Sequence, residues 1–543
     1  MKTPNPRRQA DARARRAPQL KHVRTVAMVA ALCLAAAGGA PAEQPAPRPN
    51  ILFVMTDDHG VTALSCYGDD RIETTHMDRL AREGMLFHRA YVTNSICGPS
   101  RATILTGKHS HANGYWRNNA GFDTEQNTFP RLMGEAGYQT AVIGKWHLDA
   151  DPVMFDFFDV LIDQGPYYNP PMRTNRHGDV RNVPHTGYTT NIITDKTLQW
   201  LQEDRDPDRP FVLLYQHKAP HREWSPSPDY FEFLDDADLP EPDTLLEDFS
   251  GRGPASGMNT MSIARDLTMD RDLKFAPPGN LNEAQLEAWN AFYQPRNQAF
   301  IDAGLEGDDA TRWKYQRYAK DYLRCVKAVD DDLGRVLDYL DESGLADNTI
   351  VVYTSDNGWY LGEYGWYDKR WMYELSLRVP LLVRWPGVTE PGAESGLIVS
   401  NLDFASTFLE VAGVEIPEDI QGRSLVPLLR GETPDDWRDS FYYHYMEGLY
   451  SWHSVPRHYG VTNGRYKLIH FYELGDEWEF YDLENDPREL TNQYDNPEYA
   501  SQIEVMAAEL GRLREHYQVP DEDPISFEEA RELGRRGPAH MRR

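Results

Sequence analysis

Four apolar runs of strand length each end in a cluster of polar residues, and this repeated arrangement organises the chain. Residues 51–55 (ILFVM) run into Asp57, Asp58 and His59, and residues 140–143 (TAVI) into Lys145, Trp146 and His147. Residues 211–215 (FVLLY) run into His217, Lys218 and His221, and residues 350–353 (IVVY) into Ser355, Asp356 and Asn357. Unbroken Val, Ile and Leu runs suit strands buried on both faces, whereas a half-exposed strand would alternate. Helical stretches lie between them: residues 75–83 stopped by Gly84, residues 100–105 stopped by Gly107, and a longer amphipathic stretch around Cys325 stopped by Gly344. The alternation predicts an α/β fold, a large mixed, mostly parallel sheet flanked by helices. Ligands of such sheets bind beyond the carboxyl ends of the strands, so the four polar clusters are expected to meet at one edge.

Two segments break the pattern. Residues 225–298 are rich in Pro, Asp, Gly and Met without clear periodicity, which reads as a long surface insertion able to shape a cleft. After about residue 431 the chain turns to short β-like runs at 465–471 and 478–483. An amphipathic helix follows, with Ile503, Met506, Ala507, Leu510 and Leu513 on one face. The expected division is a catalytic domain at 49–431, a smaller α+β domain with a short antiparallel sheet at 432–518, and a charged tail at 519–543, extended or disordered.

Composition is globular, with 40% hydrophobic and 12% aromatic residues among 543. Residues 1–42 read as an export signal: eight Lys or Arg precede an apolar run at 25–39, and Ala40-Pro41-Ala42 supplies small residues for cleavage. The run is shorter than the roughly 20 residues of a membrane span. Its removal takes the formal net charge from −29 to −36, since it carries eight basic residues and one Asp. So acidic a chain is not expected to bind nucleic acid. Cys33 leaves with the signal, and Cys66, Cys97 and Cys325 do not make a disulfide framework. Cys325, amid an apolar helical pattern, reads as core packing.

Asp57, Asp58, Asp356 and Asn357 would place three carboxylates and a carboxamide at one sheet edge, where they repel one another unless a cation sits among them. All-oxygen ligation fits calcium or magnesium rather than zinc. Cys97 lies in Cys97-Gly98-Pro99-Ser100-Arg101, followed by Thr106-Gly107. Pro99 suits the first turn of a helix, whose amides favour bound anions. On this string the chain resembles the type I sulfatases of the alkaline phosphatase superfamily, in which Cys-x-Pro-Ser-Arg and a later Thr-Gly mark the cysteine for oxidation to formylglycine. The likeness runs from Asn50 to about Tyr517.

That resemblance implies one calcium ion held by Asp57, Asp58, Asp356, Asn357 and the side chain made from Cys97. It assigns Arg101, Lys145, His147, His221 and Lys369 to holding sulfate or moving protons, and it implies a formylglycine-generating or equivalent maturation enzyme as a partner. His221 is expected to protonate the departing alcohol, with His217 in support, while Arg370, Trp371 and His458 are expected to touch sugar. Within the family, residues 217–222 and 457–461 look most like glucosamine-6-sulfatases acting on heparan-type glycans, which implies a sulfated carbohydrate substrate. Two other readings are a phosphonate monoester or phosphodiester hydrolase of the same superfamily and an inactive glycan-binding homologue.

Overall fold

The computed structural model describes residues 48–536, so the export segment expected at residues 1–42 lies outside the described residues. In chain order the strands are β1 (Asn50–Thr56), β2 (Met85–Tyr91), β3 (Gln139–Gly144), β4 (Phe157–Leu161), β5 (Pro171–Thr174), β6 (Arg181–Pro184), β7 (Phe211–Gln216) and β8 (Thr349–Ser355). Then follow β9 (Tyr360–Leu361), β10 (Tyr367–Asp368), β11 (Arg378–Val379), β12 (Leu381–Arg384) and β13 (Ala393–Ser400). The main sheet has the order β11-β2-β12-β8-β1-β7-β3-β4-β5-β6, with β13 added beside β2. Its centre, β8-β1-β7-β3-β4, is parallel, and antiparallel strands complete both sides. Mixed, mostly parallel pairing is what the apolar runs predict.

The four runs are β8, β1, β7 and β3 of this centre, and their register aligns their ends. Thr56 lies opposite Ser355, and both Met55 and Gly144 lie opposite Gln216, so the four polar clusters leave the sheet side by side. Gly144 is required there: its φ is 106°, and a Cβ would stand 1.8 Å from the Gln216 carbonyl oxygen, which accepts the Lys145 N–H at 2.8 Å.

Each central strand is buried on both faces, which explains the absence of alternation. Leu52 and Val54 face one core, shared with Tyr322, Cys325 and Val329 of the long helix Gly307–Glu342. Ile51, Phe53 and Met55 face the other, where Phe404 and Phe408 of the helix Asp403–Ala412 pack edge-on against Phe53. Among the described residues, no helix is long and apolar enough to cross a membrane.

Three expectations need correction. The insertion at 225–298 is not only surface: Phe231, Leu239, Leu245, Ile263, Leu267 and Leu273 are buried in the first core. Its last part belongs to a helix, Glu283–Ala303, begun by a capping box in which Asn282 and Gln285 satisfy each other's backbone N–H groups. Residues 519–536 are not wholly extended, since they include a helix at Phe527–Arg536.

The C-terminal sheet runs β14 (Phe441–Tyr445), β15 (His458–Thr462), β16 (Tyr466–Phe471) and β17 (Glu477–Asp482), all antiparallel. Met506, Leu510 and Leu513 of the helix Ala500–His516 cover one face, while Ala507 of the expected apolar stripe is exposed. The other face shares a core with Tyr91, Ile96, Trp371 and Leu377, so it packs behind the segment that carries Lys369.

Candidate active site

Cys97 opens a helix, Cys97–Thr106, in which every residue is buried. Pro99 falls in its first turn, where the missing N–H is no loss, so the helix starts three residues earlier than the apolar pattern indicates. Gly107 ends it at φ 64°, donating its N–H to the Thr103 carbonyl at 2.7 Å. Gly98 fits because a Cβ there would fall 2.6 Å from the Tyr115 ring and 2.7 Å from Asn118 Oδ1.

The turns after β1 and β8 bring the expected carboxylates together. The Asp58 N–H donates to Asp356 Oδ1 at 3.1 Å, and Asn357 Nδ2 lies 3.1 Å from Asp58 Oδ1 and 2.7 Å from Asp356 Oδ1. Asp58 is held at φ 69°, its carbonyl accepting the Tyr322 hydroxyl at 2.7 Å from the long helix. Cys97 Sγ stands 3.9 Å from Asp58 Oδ1, 3.7 Å from Asn357 Nδ2 and 3.4 Å from Lys369 Nζ. Burial pushes the Asp58 carboxyl up to about 7 against the opposing pull of Lys369, and pushes the Cys97 thiol up to about 12. A thiol so placed is protonated at neutral pH and is a poor nucleophile.

Cations surround the carboxylates. Lys369 Nζ lies 2.5 and 2.6 Å from the two Asp58 oxygens, and Lys145 Nζ contacts Asp57 Oδ2 and lies 2.6 Å from Gln164 Oε1. Arg101 donates from Nε to Asp356 Oδ2 at 2.9 Å, and from Nη1 to the Lys145 carbonyl at 2.7 Å and Gln216 Oε1 at 2.9 Å. His147 Nε2 sits 2.9 Å from Gln164 Nε2, and His221 Nε2 sits 3.6 Å from Asp58 Oδ2. Burial first, then the neighbouring lysines, holds both imidazoles well below the ordinary histidine range.

Above the cluster opens a cavity of about 400 Å³ with Cys97, His147, His221, Lys369 and Arg370 on its wall. Not every expected residue reaches it. Arg101 and Lys145 lie beneath it, bonded to Asp356 and Asp57. His217 is wholly buried against the Tyr215 ring. Trp371 and His458, expected to touch sugar, stack on each other in the core shared with the C-terminal sheet, both 0% exposed; this corrects their assignment. His458 belongs to β15 of that sheet, and Trp371 is buried where the sheet packs against its segment. Gln164, linking Lys145 to His147, and Asp368, which pairs with Arg370 and with His453 at 2.9 Å, were not singled out in the sequence; both line the cavity. Asp368 had one available signal, its place beside Lys369, whereas Gln164 follows no motif.

Comparison with known proteins decides what this site belongs to. A family model described as Sulfatase matches residues 49–414. The chain belongs to the sulfatase family. A second model, described as N-sulphoglucosamine sulphohydrolase, C-terminal, matches residues 362–516 of the sulfatase. An N-acetylglucosamine-6-O-sulfatase of Bacteroides thetaiotaomicron is 45% identical over 517 residues, 91% of each chain. A solved protein in complex with its substrate D-glucosamine-2-N,6-O-disulfate superposes with a TM-score of 0.85 at 44% identity, covering 88% of the sulfatase and 100% of that chain. A phosphonate monoester hydrolase from Silicibacter pomeroyi, 23% identical with a TM-score of 0.64 over 86% of the sulfatase and 96% of that chain, shares its fold.

Proposed function

We propose that this sulfatase is exported and removes 6-O-sulfate from a terminal glucosamine or N-acetylglucosamine, using one calcium ion and formylglycine made from Cys97. One observation carries the reading: a cavity of about 400 Å³ brings Cys97, His147 and His221 together with Lys369 and Arg370 on one wall. The relatives' names, N-acetylglucosamine-6-O-sulfatase and a complex with glucosamine disulfate, support the choice of sugar.

The residues fit a hard divalent cation. Asp57, Asp58, Asp356 and Asn357 offer only oxygen, and Asp57 Oδ1 and Asn357 Oδ1 are buried without a hydrogen-bond partner. The raised Asp58 carboxyl shows how strongly burial resists negative charge there, and a bound cation relieves that resistance. Those four residues would hold the ion, which supplies positive charge for the sulfate oxygens and the attacking oxygen. Formylglycine at position 97 would supply a hydrated aldehyde as the nucleophile.

The side chains present account for the rest of the reaction. Lys369 faces the cavity beside Cys97, placed to take sulfate oxygens as charge spreads over them. Arg101 and Lys145 orient Asp356 and Asp57 and add positive potential from below. His221 Nδ1 lies 2.5 Å from the Arg222 carbonyl, so the charged ring donates there and keeps Nε2 for the departing oxygen. Burial, and then repulsion from Lys145, Lys218 and Lys369, opposes that charge, and an anionic sulfate among them would favour it.

Defined sulfated monosaccharides test the proposal. Protein whose Cys97 peptide is lighter than the thiol form by nearly one water is expected to release sulfate from glucosamine 6-sulfate. Release from galactose or uronic-acid sulfates but not from glucosamine 6-sulfate would reject the sugar. Full activity of Cys97→Ala would reject the nucleophile.

A further inference from the structure

We infer that the C-terminal segment 521–530 is a specificity wall of the active site, one that admits a sulfated sugar only at a chain end. The proposal rests on the reading of the site as a glucosamine 6-O-sulfatase and adds the structural element that limits its substrate. Both family models stop before this segment, at residues 414 and 516.

The segment is tied down at several points. Asp523 Oδ2 accepts from Arg457 Nη1 at 2.8 Å and from the Tyr472 hydroxyl at 2.9 Å. The same Arg457 nitrogen donates to the Ile525 carbonyl at 2.9 Å, and its guanidinium lies 4.9 Å from the centre of the Phe527 ring. Arg457 is only 1% exposed, so these bonds are shielded from water. One turn on, the Arg531 guanidinium sits 6.0 Å from the Tyr450 ring centre. Ile525 and Ala530, carried by these contacts, line the same cavity as Cys97, with Tyr450 and Trp452 beside them.

Ile525 and Ala530 offer the cavity only aliphatic carbon, so they contribute shape rather than hydrogen bonds. An internal sugar of a glycan continues through two linkages and needs two openings, whereas a terminal sugar needs one. With the segment in place, that part of the rim is occupied by main chain and side chain. Lifting it breaks the paired bonds of Arg457 and Tyr472 and exposes Ala530, which is 6% exposed.

The test compares formylglycine-bearing full-length enzyme with a chain ending at Pro520. Substrates are glucosamine 6-sulfate, a heparan-type tetrasaccharide whose sole 6-sulfate lies on an internal glucosamine, and nitrophenyl sulfate. Truncation is expected to raise kcat/KM for the internal sulfate relative to the monosaccharide by about 10-fold or more, the scale on which pocket shape discriminates. Turnover of nitrophenyl sulfate should persist. An unchanged ratio in a truncated chain that still cleaves nitrophenyl sulfate overturns the wall. If truncation abolishes all activity, Asp523→Ala combined with Ile525→Gly in the full chain decides by the same ratio. If the full-length enzyme cleaves nitrophenyl sulfate but neither glucosamine sulfate, the sugar assignment fails. The wall is then judged on nitrophenyl sulfate against a bulkier aryl sulfate, with truncation expected to favour the bulkier and equal effects overturning it.

Discussion

His221 and Lys369 both stand beside Asp58, yet the chemistry asked of them differs. In the proposed mechanism the imidazole hands a proton to the leaving oxygen, so its loss should matter in proportion to the basicity of the departing group. His221→Ala is expected to slow release from glucosamine 6-sulfate by ~100- to 10,000-fold. Nitrophenyl sulfate, whose leaving group needs little protonation, should lose much less. Lys369 is instead proposed to stabilise charge on the sulfate itself, so Lys369→Ala should slow both substrates alike. Measuring kcat for both esters in both variants separates the roles; equal losses for His221→Ala would move it into the sulfate-binding set.

At the scale of elements, the turns after β1 and β8 concentrate three carboxylates in a space closed by the long helix. A cation bound there only by the folded chain stabilises that chain by mass action. Exhaustive chelation is therefore expected to lower both the unfolding temperature and the activity, and calcium to restore both. No change in either, with metal removal confirmed by elemental analysis, would exclude the site. A different buried acid, Glu479 in β17, sets a pH dependence remote from catalysis. Burial raises its carboxyl from 4.5 to about 7, only partly offset by the Tyr373 and Tyr481 hydroxyls that donate to it at 2.7 and 2.9 Å. The folded chain thus holds this proton more tightly than the unfolded chain. The stabilisation is complete below about pH 4.5 and is lost as the pH rises through about 7, a difference on the order of 3 kcal/mol. Glu479→Gln stays neutral, so its unfolding temperature relative to the natural protein should climb between pH 5 and 8. Parallel curves across that range would show that the carboxyl ionises freely.

Over the whole molecule, the strongest field is that of an acidic surface around a cationic pocket. A net charge of −29, or −36 without the first 42 residues, opposes the approach of a long sulfated polymer, whereas one small sulfated sugar meets Lys369 and Arg370 once inside. Raising salt from 0.01 to 0.15 M shortens the Debye length from ~30 to ~8 Å. It should therefore increase kcat/KM for polymer ends more than for monosaccharide. A polymer rate that falls with salt would mean that the field near the mouth attracts polyanions.

How much of this was legible beforehand follows from the range of the interactions involved. The central strands and the polar turns after them are written locally, because a strand buried on both faces must be apolar throughout and its polar end stands out. The string from Cys97 to Gly107 is equally local, with Pro99 opening a helix and Gly107 closing it. Other features come from distant chain segments meeting. Trp371 is buried only because the C-terminal sheet, which carries His458 in its own β15, packs against it, and Arg101 finds its ion-pair partner in Asp356, 255 residues away. Gln164 gains meaning only between Lys145 and His147. The charged tail reads as unstructured because few of its own residues are apolar, but the groups that order it, Arg457 and Tyr472, belong to strand ends more than 50 residues earlier. The sequence alone determined the fold class and the sheet edge and marked Cys97 as the proposed reactive position, since each rests on neighbours in the chain. Tertiary structure alone decided which polar residues face the cavity and what closes it, since burial and ion pairing are properties of residues brought together by folding.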